Sequence, residues 1–307
     1  MRLLLLGGTG FIGTPVAEQL IRGGHEVAVV HRGRQSPPPG VVSLIVDRRD
    51  IGALARAMAA FDPDGIVDLI AYTAADVGQA LAALPKRLLR LTVISSGDVY
   101  AAYGAFRGLE PPPQNLAPAF EDGALRQSRY PYRAHAASTD DLLHDYDKIL
   151  VEERCRLESP VPLTILRLPM VYGPLDPHRR VGAEVGRLRD APGGILALHP
   201  AEAVWRCTRG YVEDVARAIG LAATHPEAVG RTYNVGERDA LTTVEWLTAI
   251  ADATGSKTRI VSTASATPSQ PVNWSVPVVA ATGRIRRELG DVEPVGRTEG
   301  LRRSVSR

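Results

Sequence analysis

Short apolar runs alternate with amphipathic stretches of helical length through the first half of the chain. Residues 3–6, 26–30, 44–46, 66–71 and 91–94 have strand length, and 163–168 and 232–235 look similar. None shows the clean polar alternation of a strand with one wet face, so both faces of each are expected to be covered. Between them, 14–22, 51–60 and 77–84 carry apolar residues at helical spacing. Strands separated by helices imply an α/β protein built on a doubly wound parallel sheet, with ligands beyond the carboxyl ends of the strands. Residues 242–253 read as a further amphipathic helix, capped by Thr242 or Thr243 and ended by Gly255.

Two segments break this rhythm. Residues 101–137 hold Pro111, Pro112, Pro113, Pro118 and Pro131 among aromatics and charges. A segment so long without periodicity is a functional lid or a disordered link, and its place directly after a strand favours a lid over the cleft. Residues 173–209 are also irregular and, with the chain after Leu241, read as a smaller lobe.

The first strand runs into Gly7-Gly8-Thr9-Gly10-Phe11-Ile12-Gly13, directly before the first helix. Each spaced glycine has a physical reason. Gly7 permits the tight turn, Gly10 lets backbone approach phosphates without a Cβ, and Gly13 lets helix pack on strand. The helix N-terminus adds free N–H groups and partial positive charge, which suits the pyrophosphate of a dinucleotide. At the end of the second strand stands His31-Arg32-Gly33-Arg34. A carboxylate there would accept the ribose 2′-hydroxyl of NAD, whereas a guanidinium forks onto a 2′-phosphate. The expected cofactor is therefore NADP, gripped by Arg32 with Arg34 assisting. The alternative is NAD beside a solvated basic turn.

Bulk properties narrow the function classes. A charge of +2 from 36 basic and 34 acidic residues gives no global lean toward nucleic acid or membrane. Arg302, Arg303 and Arg307 read as a solvated basic end. Cys155 and Cys207 belong to no CxxC or Cys/His cluster, which argues against structural zinc or a disulfide framework and fits a reducing, cytoplasmic setting. The N-terminal apolar run is too short for a signal peptide, and no run reaches the ~18 residues of a membrane span.

Several motifs now stand in a fixed order. The glycine loop at 7–13 is followed by Val93-Ile94-Ser95-Ser96-Gly97-Asp98-Val99-Tyr100 and by Leu166-Arg167-Leu168-Pro169-Met170-Val171-Tyr172-Gly173-Pro174. Tyr211-Val212-Glu213-Asp214-Val215-Ala216 and Tyr233-Asn234-Val235-Gly236 come later. Together they resemble the extended short-chain dehydrogenase/reductase family, in its epimerase/dehydratase branch. The resemblance implies a Rossmann-type domain over 1–172 and 208–236, and a substrate lobe over 173–207 and 237–307. It implies hydride transfer to or from a carbonyl or alcohol carbon of a small, sugar-like molecule, within an oxidoreductase or epimerase/dehydratase cycle, and a homodimer. Thr9, Phe11 and Ile12 would join the glycines around the cofactor. Asp47, with Arg48 beside it, would bracket the adenine; Tyr72 and Thr73 would line the channel; Pro169 would pack near the carboxamide. Ser96 would orient the substrate oxygen, and Lys148 would hold the nicotinamide ribose.

Members of that family carry Tyr-x-x-x-Lys on one helical face. Here the expected helix opens near Ser138-Thr139-Asp140-Asp141 and continues through Glu152, and the residue four before Lys148 is His144. Tyr146 is two positions from Lys148, about 200° around a continuous helix. Three readings follow. His144 replaces the tyrosine as acid/base, since imidazole titrates near neutrality. Or a helix irregularity returns Tyr146 to the cleft. Or neither residue serves a redox step, leaving a dinucleotide-binding or sensing protein, or a non-redox isomerase or lyase. Tyr146 also fits an apolar stripe with Leu142, Leu143, Ile149 and Leu150. Asp98, Tyr103, Tyr130, Tyr132 and Arg206 are candidate substrate contacts, each with a plain structural role as its alternative.

Overall fold

The computed structural model of the chain describes residues 1–305, so Arg307 of the basic end falls outside the described residues. Among the described residues eleven strands follow in chain order. The first six are β1 (Arg2–Leu6), β2 (Glu26–His31), β3 (Val42–Ile45), β4 (Gly65–Asp68), β5 (Arg90–Ser96) and β6 (Leu163–Leu168). After them come β7 (Met170–Tyr172), β8 (Ile195–Leu198), β9 (Arg209–Tyr211), β10 (Thr232–Asn234) and β11 (Arg259–Ser262). Seven of them form one parallel sheet in the order β10-β6-β5-β4-β1-β2-β3. The chain leaves β1 toward β2 and β3, then returns to β4 on the other side of β1. That reversal opens the crevice where ligands of doubly wound sheets bind.

Strand residues alternate between two cores, as a period of two requires. Leu3, Leu5, Val27, Val29 and Val67 join one apolar cluster with the helices Gly13–Arg22 and Val212–Thr224. Leu4, Leu6, Ala28, Val30 and Ile66 join the other, against Ile51–Phe61, Ala74–Ala82 and Lys148–Glu158. Both faces are dry along the inner strands, which explains their apolar sequences, whereas the edge strand β3 is open to solvent, with Ile45 71% exposed. Cys155 packs into the second cluster, and Cys207 sits beside Phe106, Trp205 and Val276; both thiols are free and buried. The pairs β7·β9 and β8·β11 are separate small parallel sheets. Among the described residues no helix is long and apolar enough to cross a membrane, and no cluster of His, Cys, Asp or Glu is arranged for a metal.

The helix expected over 242–253 is present as Thr243–Thr254, with a Thr242/Glu245 capping box and Gly255 left-handed at φ +68°. Two sequence expectations need correction. Strand β4 stops at Asp68 rather than Ala71, because Asp68 accepts hydrogen bonds from Arg48 and from the Ile70 N–H, and the chain then turns out of the sheet. The helix read as continuous from Ser138 through Glu152 is broken. Asp141 caps a short turn, Leu142–Asp145, and Asp147 caps a second helix, Lys148–Glu158. Between them Tyr146 and Asp147 are extended (ψ 120° and 110°).

The segment 101–137 has little regular structure, yet it is tied down. Arg126, 1% exposed, donates to the Asp98 and Ser128 carbonyls and pairs with Asp147 at 2.9 Å. Glu110 accepts from the Gln127 and Ser128 N–H groups, and Tyr100 bridges to Leu125. Removing one partner of a buried ion pair strands the other charge, at a cost of about 3–5 kcal/mol. Asp147→Ala should therefore lower the unfolding free energy by that order in urea titration. Asp147→Asn, which keeps a cap acceptor, should cost less, and equal, small losses would show that the pair does not fix the break.

Candidate active site

The glycine turn is shaped for close backbone approach. Gly7 is at φ +90°, and a Cβ there would meet Ile70 at 2.4 Å. A Cβ on Gly13 would meet the Gly7 carbonyl at 2.3 Å, so only glycine lets the helix start this close to β1. At Gly10 the space is open, with no heavy atom within 4 Å of the Cβ position. No side chain caps the helix that follows. An open glycine before an uncapped helix N-terminus is what a pyrophosphate needs. Thr9 and Ile12 border this turn, and Phe11 lies 3.5 Å from the Cβ position of Gly173.

Arg32 and Arg34 are exposed at the carboxyl end of β2, either side of Gly33 at φ +75°, and neither has a partner among the described residues. Asp47 is exposed after β3 and accepts from the Arg49 N–H. Arg48 lies elsewhere in role. It is buried, forks onto Asp68 at 3.0 and 2.8 Å and donates to the Asp76 carbonyl, so its donors are turned inward. Thr73 caps the next helix through a box with Asp76.

The broken helix decides which side chains meet. Tyr146, half-buried, donates from its hydroxyl to Asp98 Oδ2 at 2.8 Å, and the Ser96 side chain bears on the same phenol. Lys148 is 3% exposed, and its Nζ donates to the Ala71 and Ile94 carbonyls at 2.7 and 2.8 Å. Its ammonium lies 4.9 Å from the Tyr72 ring centroid and 5.9 Å from that of Tyr146. His144 goes the other way: its Nδ1 bonds Asp145 at 2.7 Å on the surface, and its carbonyl takes Arg133. The chain thus brings together Tyr146, Lys148, Ser96 and Tyr72, and leaves His144 outside. The cause is the break, because a residue on extended backbone is no longer bound to the 200° offset of a helix.

A cavity of about 190 Å³ opens beside Ser96 and Asp98. Its walls include Tyr103, Tyr132, Pro169, Met170 and Val278. Segment 101–137 thus covers the cleft, supplying Tyr103, Ala119 and Tyr132. Tyr132 donates to Asp98 Oδ2 at 3.2 Å and shares a hydrogen bond with Tyr103 at 2.7 Å. Tyr130 and Arg206 do not line it; Tyr130 stacks under Arg133, and Arg206 is exposed on the Ala240 carbonyl. Arg126 and Asp147 were missed by sequence reasoning. The one local signal for Asp147 is its type, a carboxylate able to cap the helix starting at Lys148.

Burial governs the titrations. Desolvation lowers the Lys148 ammonium to about 8, against the pull of Asp98 and Asp68. Desolvation, then the Asp98 charge, pushes the Tyr146 phenol well up, and burial raises Asp98 itself despite nearby Arg126. Since the unfolded lysine titrates near 10.4, the unfolded chain binds more protons than the native one above about pH 8. The wild type should therefore gain stability relative to Lys148→Met as pH rises from 8 to 10, read from urea midpoints. A constant difference would contradict the buried, loosely held proton.

Comparison with known proteins agrees with this architecture. Residues 3–236 match the NAD dependent epimerase/dehydratase family. Over 99 residues the chain is 36% identical to 2′-dehydrokanamycin reductase of Streptomyces kanamyceticus, a match spanning 31% of this chain and 28% of that relative. The structure of UDP-glucose 4-epimerase from Thermus thermophilus in complex with NAD superposes with a TM-score of 0.71 at 25% identity, covering 99% of this chain and 98% of that one. A short-chain dehydrogenase/reductase superfamily protein from Agrobacterium tumefaciens with bound NAD gives 0.69 at 22% identity, covering 98% and 95%. With the glycine turn, the Ser96 strand end and the Tyr146–Lys148 pair all lying inside the matched region, the chain belongs to the NAD dependent epimerase/dehydratase family.

Proposed function

We propose that this protein is an NADP-dependent carbonyl reductase of the short-chain dehydrogenase/reductase type, with Tyr146 as its proton donor. The observation that carries this reading is the backbone break at Tyr146–Asp147, which sets a phenol beside Ser96 and Lys148 although the spacing in sequence is wrong for one helix. The dinucleotide would sit over Gly7, Gly10 and Gly13, with its adenosine end toward Asp47 and its 2′-phosphate on Arg32 and Arg34, both free of partners among the described residues. Lys148 and Tyr72 would flank the nicotinamide ribose, and Pro169 its carboxamide. When bound, the nicotinamide supplies the hydride.

The chain's own residues manage the oxygen. Ser96 orients the substrate carbonyl, and the Tyr146 hydroxyl passes its proton to the oxygen as the carbon is reduced. A phenol whose pKa burial and Asp98 push upward stays protonated at neutral pH, the form that a reductive step would start from. The reductase matched over 99 residues supports the same direction. The cavity of about 190 Å³ is below the ~300 Å³ low end of drug-sized ligand pockets, so the substrate is small.

Purified protein mixed with NADPH and small ketones should consume the near-ultraviolet absorbance of the reduced nicotinamide. Tyr146→Phe should cut kcat by about 10²–10⁴ with cofactor affinity kept, while His144→Phe should leave kcat near wild type. The reverse pattern would restore His144 as the acid. Arg32→Ala should weaken NADPH binding about tenfold and leave NADH unchanged; equal weakening of both would remove the 2′-phosphate assignment.

A further inference from the structure

One atom of the cleft is left over by the scheme above. Asp98 is 5% exposed and lines the cavity beside Ser96. Its Oδ2 accepts the Tyr146 and Tyr132 hydroxyls, yet its Oδ1 is buried with no hydrogen-bond partner among the described residues. A buried carboxylate oxygen without a partner is costly, and with Asp98 itself on the cavity wall a turn of its side chain would offer that oxygen to a group that a ligand brings.

The charges around it say what kind of group. Arg126 is committed to Asp147, Arg48 forks onto Asp68 and lies 3.9 Å from Asp76, and Lys148 gives its protons to two backbone carbonyls. The cation on the cavity wall, Arg180, is spent on Asp176 and the Val171 carbonyl. Four carboxylates (Asp68, Asp76, Asp98, Asp147) thus face three cations (Arg48, Arg126, Lys148), and Asp98 is the one without a cation bonded to it. The oxygens of Ser96 and Tyr103 stand on the same wall and offer further acceptors. An ammonium carries three donors and no acceptor, which suits such a corner; a hydroxyl carries one donor.

Resting on the reductase reading, we propose that the substrate bears a protonated amine close to its reacting carbon, and that Asp98 is the counter-ion. Asp98 and Ser96 line the same cavity two residues apart in the chain, which sets the amine near the carbonyl that Ser96 would orient. The remaining wall, with Ala119, Met170, Val278 and Ala280, fits a compact hydrocarbon frame.

The test uses the full chain saturated with NADPH, after fluorescence of the reduced nicotinamide has established that it binds. Calorimetry then compares trans-2-aminocyclohexanol with trans-cyclohexane-1,2-diol at neutral pH. The amine should bind at least about tenfold more tightly than the diol, and Asp98→Asn should erase that preference. The ligand pair alone tests the idea on wild-type protein, so a poorly folded variant does not spoil it. Equal affinities, no measurable affinity for either compound, or a preference that survives Asp98→Asn would each overturn the amine assignment and leave the reductase reading standing. Failure to bind NADPH would overturn both.

Discussion

The geometry of the cleft is referenced to one carboxylate, that of Asp147. It is 0% exposed and accepts from the Arg126 guanidinium, the Ile149 N–H at 2.9 Å and the Tyr130 N–H at 2.6 Å. Its own N–H donates to the Tyr72 carbonyl. A single side chain therefore starts the Lys148 helix, anchors the irregular cover and fixes the break that swings Tyr146 inward. Buried ion pairs of this kind are poor sources of net stability, because desolvation offsets most of the attraction. What this one supplies is a defined position for chain segments with no periodic structure of their own.

How much of this was readable in advance follows from the range of the interactions. The strands and the glycine turn are local: apolar runs at β1, β2 and β5, a positive φ at Gly7, a forbidden Cβ at Gly13. The break is not local. Residues 142–152 satisfy helical spacing well enough that nothing in the periodicity interrupts them. The stop comes from Arg126, 21 positions upstream in a segment without a pattern. Asp147 carried a faint signal, since Asp141 six residues earlier also caps a helix, and two caps in tandem imply two starts. Arg48 misled for a related reason. Its position beside Asp47 suggested the cofactor, but the partner that claims it, Asp68, ends a strand 20 positions away.

A second buried network holds the other side of the site. Glu152 forks onto Arg167 at 2.8 and 2.7 Å and accepts the Ser95 hydroxyl, while Arg167 donates to Tyr100 and the Glu121 carbonyl. Tyr100 in turn donates to Asn234 at 2.6 Å. This chain of contacts links the Lys148 helix, β5, β6, β10 and the covering segment. Ser96 and Asp98 are held between it and the Asp147 cluster, so the carboxyl end of β5 is braced from both sides.

The break also decides where Lys148 sits along its helix: at the first position, not in the middle. There the aligned peptide dipoles present their positive end, the same sign as the ammonium. The helix's own field thus works with burial against the charged lysine, and two carbonyls are enlisted to hold it. A proton kept under that opposition leaves readily, so this amine gives up its charge far more easily than a lysine on the surface.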